Sequence, residues 1–379
     1  MANKFEATHE VVIHSIKTCK EFIQKGNSLQ NCTLQNIDFS KFKIKWEKLL
    51  IDNTAFLGCN LTLEEEFFLR KKGATIIAAP EDLPYNPFRH SLYSWQELMD
   101  GYSVDNDQSI DLKIYQHFST HKYNPGINEA LWQRIHDHSI DDALRDLLEY
   151  DKDGMTKKKC IGFMGGHSTR RDDIFYEKTA LTARLLAREG YLVVSGGGPG
   201  IMEATNLGAY FADKPESVLI EAINMLKQAP HYTDRYFQER AKEVIEQFPN
   251  GAVNLAIPTW FYGHEPSNLF ASHIAKYFSN SIREDTLLAI SLYGIICAPG
   301  SAGTIQEIFM DATQNHYGTF NYHSPMVFLG KEHYEIKTLV YPLLRQLAWG
   351  KQYFDLLYIS DEPRDITDFI LSNSPIPVK

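Results

Sequence analysis

Three short apolar runs in the second half of the chain each end in a glycine-rich loop, and this restricts the fold more than any other feature. Residues 160–164 lead into Gly165-Gly166-His167-Ser168, and residues 191–195 lead into Gly196-Gly197-Gly198-Pro199-Gly200. Residues 293–298 lead into Pro299-Gly300-Ser301-Ala302-Gly303-Thr304. A helical pattern follows each loop, and β-rich runs at 252–258, 326–329 and 356–360 continue the alternation. Strands alternating with helices imply βαβ units, hence an α/β chain with a doubly wound, mostly parallel, Rossmann-like sheet covered by helices on both faces.

Ligands of such sheets sit beyond the carboxyl ends of the strands. Glycine lets backbone approach a ligand, and a helix N-terminus offers unpaired N–H groups to an anion. The candidate phosphate and ribose contacts are therefore Gly165, Gly166 and Ser168 in the first loop. The second contributes Gly196, Gly197, Gly198, Gly200, Met202 and Glu203, and the third Pro299, Gly300, Ser301, Ala302, Gly303 and Thr304. No Gly-Lys-Ser/Thr follows any loop and the dinucleotide fingerprint is missing, so a monophosphate fits better than a triphosphate or a dinucleotide. Glu307 stands about one helical turn after Thr304, which sets a carboxylate beside the cradle. Asp311 lies one turn further on the same face, as a second acid or as a solvated or capping charge.

Composition narrows the partners. Lys plus Arg total 38 against 48 Asp plus Glu, a net charge of −10 that disfavours a loose electrostatic grip on nucleic acid or an anionic membrane. The five cysteines form no CxxC pair, so neither a disulfide framework nor a metal site is expected. No leader pattern and no long apolar run stands out, which predicts a soluble cytoplasmic protein.

The sequence divides near the polar stretch 150–159, giving an N-terminal accessory region, 1–150, and a nucleotide-binding catalytic domain, 151–379. In the first part apolar residues recur every five positions at Leu29, Leu34, Phe39, Ile44 and Leu49, then at Phe56 and Leu61. Two readings stay open: a short right-handed coil of pentapeptide type, or an irregular α+β segment. An amphipathic helix is expected from about Ile127 to Tyr150.

GGGPGIMEATNLGA (196–209) together with PGSAGTIQE (299–307) resembles the paired signature of the LOG (Lonely guy) phosphoribohydrolases, long mislabelled lysine decarboxylases. The resemblance runs over residues 157–375 and lies nearer the bacterial branch with larger subunits, the nucleotide 5'-monophosphate nucleosidases. It implies hydrolysis of the N-glycosidic bond of a nucleoside 5'-monophosphate, a purine such as AMP, to free base and ribose 5-phosphate. It implies no metal, no organic cofactor and a homodimer or higher homo-oligomer. It assigns catalysis to Arg283, 16 residues before Pro299, and to Glu307, which ends the third motif. Ser301 departs from the family's glycine, and the stretch 215–248 is additional.

Cleavage of a ribosyl C–N bond develops positive charge on the sugar, which a carboxylate such as Glu307 would stabilise. Arg283 would hold the phosphate, or Glu307 itself, unless it merely pairs with Glu284 or Asp285. Tyr262, His264 and Asn268 follow a strand and are either neighbours of the base or packing and turn residues. The rival from another class is a nucleotide sensor or carrier that keeps the cradle without turnover. A pyridoxal-phosphate decarboxylase would need Lys276 or Lys331 as its Schiff-base lysine without local support.

Overall fold

The computed structural model describes residues 11–150 and 156–378. Readings that fall on residues 1–10, or on Asp151, Asp153 and Gly154 of the expected seam, lie outside them. The chain forms two compact units, Met1–Ser91 with Pro125–Ala143, and Leu92–Asn124 with Leu144–Lys379. A single division near residue 150 is thus replaced by an interleaved one, because residues 92–124 pack with the second unit.

In the first unit β1 (Val11–Ile13), β2 (Cys32–Gln35), β3 (Ala55–Leu57) and β4 (Thr75–Ile77) form one parallel sheet in that order. Helices α1 (Ile16–Gly26) and α2 (Leu63–Lys71) lie on the return paths, and a capping box between Thr62 and Glu65 starts α2. Val11 stands opposite Cys32, Thr33 opposite Ala55, and Ala55 opposite Thr75, so the chain advances 20 to 22 residues per strand. The five-residue spacing does mark inward positions, since Leu29, Leu34, Phe39, Leu49 and Phe56 share one core with the partly buried Ile44 and Leu61. The coil is nevertheless not of pentapeptide type, because helices fill two of its turns. The region is α/β rather than α+β, because all four strands run parallel.

Three further helices follow, α3 (Trp95–Leu98), α4 (Ile110–His121) and α5 (Ile127–Leu148), the last close to its expected limits. The second unit is built on β5 (Cys160–Met164), β6 (Leu192–Ser195), β7 (Leu255–Ala256), β8 (His273–Ile274), β9 (Ile295–Cys297), β11 (Met326–Leu329) and β12 (Leu357–Ser360). A separate antiparallel pair joins β10 (Tyr322–His323) to β13 (Ile376–Pro377). The large sheet is parallel throughout, in the order β12-β11-β9-β5-β6-β7-β8. Its connecting helices are α6 (Ile174–Arg188), α7 (Ile201–Tyr210), α8 (Glu216–Leu226), α9 (Phe237–Gln247), α10 (Asn280–Ile290), α11 (Ala302–Tyr317), α12 (Val340–Ala348) and α13 (Pro363–Ser372).

Ile161, Phe163, Val193, Ile296 and Val327 turn one face of the sheet toward α6, α7 and α13. Val194, Ile295, Cys297 and Phe328 alternate with them and are equally buried, so both faces are covered. That double burial explains the near-continuous apolar runs. The run at 252–258 shrinks to the two residues of β7, β8 is too short to leave a periodic signal, and the additional stretch 215–248 holds the helices α8 and α9. From β5 the chain winds outward to β6 on one side and later to β9 on the other. The switch of direction opens a crevice above β9, β5 and β6.

In the first unit Phe56 packs edge-on against Phe39 and Trp46, with ring centroids 6.2 and 5.6 Å away. Phe56→Ala should cost about 3–5 kcal/mol of unfolding free energy. Urea titration of the variant beside the wild type checks this, and a loss within experimental error would refute the packing described.

Candidate functional site

Because β9, β5 and β6 are neighbours, their three glycine loops meet and bond to one another. Gly166 N donates to Pro299 O at 3.0 Å, and Ile201 N donates to Gly166 O at 3.1 Å. Gly200 has φ +70°, and a Cβ there would collide with Gly166 O, so only glycine permits this junction. A cavity of about 600 Å³ opens above the loops. Pro258, Thr259, Tyr262 and Glu265 beyond β7 and Arg283 and Glu284 of α10 complete its wall.

The three loops do not offer three equivalent anion sites. The helix after the first loop, α6, begins only at Ile174 and is capped by Asp173, whose carboxylate accepts from Phe175 N at 2.7 Å. The helix after the second, α7, has its first amide tied to Gly166. In contrast α11 begins at the wall itself: Ser301 is its N-cap, the Ser301 side chain makes no capping bond, and the first turn carries no acidic residue. Ser301, Ala302, Gly303 and Thr304 all line the cavity. The first amides of a helix have no intrahelical partner, and the helix dipole adds positive potential there. An incoming phosphate would therefore meet α11.

Arg283 organises the opposite wall. Its Nε donates to Ile257 O at 2.7 Å, its Nη1 to Glu307 Oε1 at 3.1 Å, and its Nη2 to Gly196 O at 3.4 Å. A Cβ on Gly196 would strike the guanidinium, so the second loop needs glycine to let the arginine lie across it. Of the roles open from sequence, the geometry gives Arg283 the task of fixing Glu307. It pairs with neither Glu284 nor Asp285: Glu284 accepts instead from Gln306 Nε2 at 3.0 Å. Burial raises the pKa of Glu307 from its ordinary value, and Arg283 counters part of that shift.

Among the other expected contacts, Gly165, Gly166, Gly196, Gly198 and Met202 also line the cavity, whereas Ser168, Gly197, Gly200, Glu203, Pro299 and Gly300 do not. Glu203 is a correction with a clear cause. Its carboxylate is buried and receives Arg171 Nη2 at 2.6 Å, Arg171 Nε at 2.8 Å and the Tyr176 hydroxyl at 2.8 Å. With Arg171, which precedes α6, and Tyr176 of α6, it braces that segment against α7 and faces away from the cavity wall. Asp311, expected as a second acid or a solvated charge, is neither exposed nor in the wall. Its environment is apolar enough to push its pKa up to about 7.

Tyr262 alone of the three base-side candidates reaches the wall, where its hydroxyl accepts from Asn280 Nδ2 at 3.0 Å. His264 lies outside the wall against Tyr115 and Asp107, and burial lowers its pKa. Asn268 belongs to a buried network under the second loop. It donates to Asn206 Oδ1 at 2.9 Å, which also accepts from Ser195 Oγ at 2.6 Å, while Asn206 Nδ2 reaches Asn254 Oδ1 at 2.8 Å. Lys276, the lysine a Schiff base would need, is held by both oxygens of Asp111 at 2.8 and 2.9 Å. Glu265, Glu284 and Gln306 are wall residues that sequence reasoning missed. Only their position after a strand end or beside a motif residue could have flagged them.

No family model matches the sequence, and no curated protein matches it. Among solved structures, a molybdenum cofactor binding protein from the phototrophic bacterium Rippkaea orientalis aligns with 57% of this chain and 98% of its own, at 15% identity and TM-score 0.38. A molybdenum cofactor carrier protein from Chlamydomonas reinhardtii aligns with 57% of this chain and 100% of its own, at 14% identity and TM-score 0.37. A second structure of the Chlamydomonas reinhardtii carrier gives 13% and 0.35 over the same shares. Among the described residues no helix is long and apolar enough to cross a membrane.

Asp311 yields a pH prediction. Its folded pKa is raised above the unfolded value, so its contribution to stability is full below the ordinary carboxylate pKa and is lost as pH rises through about 7. Unfolding free energy should fall across that window by up to about 1.4 kcal/mol per pH unit. Asp311→Asn should flatten this dependence, and denaturant titrations from pH 5 to 8 that give parallel profiles would refute it.

Proposed function

We propose that the protein hydrolyses the N-glycosidic bond of nucleoside 5'-monophosphates, with AMP-like purine nucleotides as the substrate class, as the LOG-type motifs imply. The observation that carries this reading is the placement of Glu307 in one cavity with the open N-terminus of α11. The 5'-phosphate would dock on the amides of Ala302, Gly303 and Thr304, with the Ser301 hydroxyl as a further donor. This brings the ribose to Glu307, and the base lies toward Tyr262 and Glu265.

In the reaction water adds to C1', the C1'–N bond breaks, and the base leaves with a proton. The products are free base and ribose 5-phosphate. Glu307 stabilises the oxocarbenium-like transition state by its charge and by accepting from the ribose hydroxyls, or takes the proton of the attacking water. Arg283 acts through Glu307: it holds the carboxylate in place and favours its ionised form. It is a positioning residue here.

A second reading keeps the same cradle as a carrier or sensor of a phosphate-bearing, nucleotide-like molecule. The observation on its side is that Arg283 already neutralises Glu307 within the protein, 3.1 Å away, so the pair also serves as a plain structural tie.

Two variants separate these readings. Glu307→Gln should leave nucleotide binding nearly intact while lowering turnover by roughly two orders of magnitude or more. Arg283→Ala should lower kcat more than it raises KM and move the acidic limb of the pH–rate profile upward, since Glu307 loses the cation that opposes its burial. Steady-state kinetics at several pH values and calorimetric titration with nucleotide provide the check. Wild-type turnover in Glu307→Gln, or tight nucleotide binding by a wild-type protein that releases no base, would favour the carrier.

A further inference from the structure

The cavity wall holds three carboxylates, and two of them are satisfied within the protein. Glu307 is tied to Arg283 at 3.1 Å, and Glu284 accepts from Gln306 at 3.0 Å. Glu265 is half-buried in the same wall and, among the described residues, has neither a hydrogen bond nor an ion pair. A carboxylate drawn partly out of water without a donor is unfavourable, so its partner is expected to arrive with the ligand. Its neighbours hold it in place. His264 before it turns toward Tyr115 and Asp107, and Pro266 after it favours extended backbone at Glu265. Asn268 then fastens the segment across the second loop, its amide donating to Gly197 O at 3.0 Å and its side chain to Gly198 O at 3.4 Å.

The glycines of the second loop show where this carboxylate stands. A Cβ on Gly198 would lie 3.2 Å from Glu265 Oε2, whereas one on Gly196 would strike Arg283 Nη2. The Met202 side chain covers both glycines, with Sδ toward Gly196 and Cε toward Gly198. The floor therefore runs from the Arg283–Glu307 pair, over an adaptable thioether, to an unpaired carboxylate. Two residues of backbone span at most about 7 Å, close to the reach of a purine from its glycosidic nitrogen to its far edge. With C1' at Glu307, that far edge meets Glu265. An ionised carboxylate only accepts. Among the common bases guanine alone sets N–H donors side by side on adjacent groups, N1–H and the 2-amino group, and a carboxylate takes both at once. The amino group of adenine is flanked by the acceptors N1 and N7, so one carboxylate oxygen would face a lone pair whichever edge is presented. Hypoxanthine keeps N1–H and lacks the 2-amino group.

We propose that Glu265 is the base-reading residue of this cavity and that its carboxylate selects guanine over the other purines, so that GMP is the preferred purine monophosphate. This rests on the nucleotide pose of the proposed function, which the carrier reading shares. Glu265 touches the far edge of the base and takes no part in breaking the C1'–N bond.

The test compares GMP, IMP and AMP on the full chain, by release of free base from the wild type and by calorimetric titration of the Glu307→Gln protein. The wild type should favour GMP over AMP in kcat/KM by about tenfold to 100-fold, the discrimination a good bidentate pair supplies, with IMP between them. This series needs no change at Glu265, so it stands even if a substitution there fails to fold. Glu265→Gln sets a donor against one N–H of guanine and complements adenine. It should lower kcat/KM for GMP by about tenfold or more, leave AMP unchanged or improved, and bring the ratio to about one. A purely structural role would lower both nucleotides alike. Guanine-selective binding without base release would overturn the hydrolase and leave this assignment standing. Equal use or equal binding of GMP and AMP, a preference for AMP, or a guanine preference that survives Glu265→Gln would overturn the assignment, and base release alongside it would keep the hydrolase. Binding of none of the three would overturn both.

Discussion

The site depends on one buried guanidinium. Arg283 binds a backbone carbonyl beyond β7, a carbonyl of the loop beyond β6, and the carboxylate of Glu307 on α11. Three elements that approach the crevice from different directions are thereby held in one geometry. The planar fork of arginine can serve three acceptors at fixed angles, which the single ammonium of a lysine could not do. The arrangement also explains Gly196, since any side chain there would displace the guanidinium. The constraint works in both directions: Arg283 keeps Glu307 from being a lone buried charge, and Glu307 compensates a cation that would otherwise be costly to bury.

Around this tie the polar groups of the sheet edge are satisfied in layers. Ser195, Asn206, Asn254 and Asn268 share hydrogen bonds below the second loop, and Gly197 N donates to Ser195 Oγ at 3.0 Å. Arg171, just before α6, and Glu203 of α7 do the same, and the Tyr334 hydroxyl donates to Ala298 O at 2.7 Å below the third loop. Loops supported in this way need not spend binding energy on ordering themselves when a ligand arrives.

The α/β sheet was legible because strands buried on both faces read as unbroken apolar runs, and glycines at their ends mark close backbone approach. Glu307 was legible because helical spacing ties it to Thr304. The function of Glu203 was not, since nothing local announces that Arg171, 32 residues earlier, would reach its carboxylate. Glu265 and Glu284 were missed because they come from segments without glycine signatures. In the N-terminal region the signal lay in a repeat at a longer interval: Leu29, Cys32 and Leu34 recur as Ile51, Thr54 and Phe56, which the five-residue spacing partly concealed. A two-residue strand such as β8 leaves no periodicity at all.

The account's central claim is that an open helix end and a buried carboxylate act on the two ends of one substrate. The most direct measurement is chromatographic detection of free base from purified protein incubated with AMP and, in parallel, with adenosine. The account predicts adenine and ribose 5-phosphate from AMP, and release from adenosine slower by at least about two orders of magnitude, since the charge-assisted contacts to phosphate are lost. Equal rates on the two compounds would contradict the role given to the N-terminus of α11. No release from any nucleoside monophosphate would contradict the role given to Glu307.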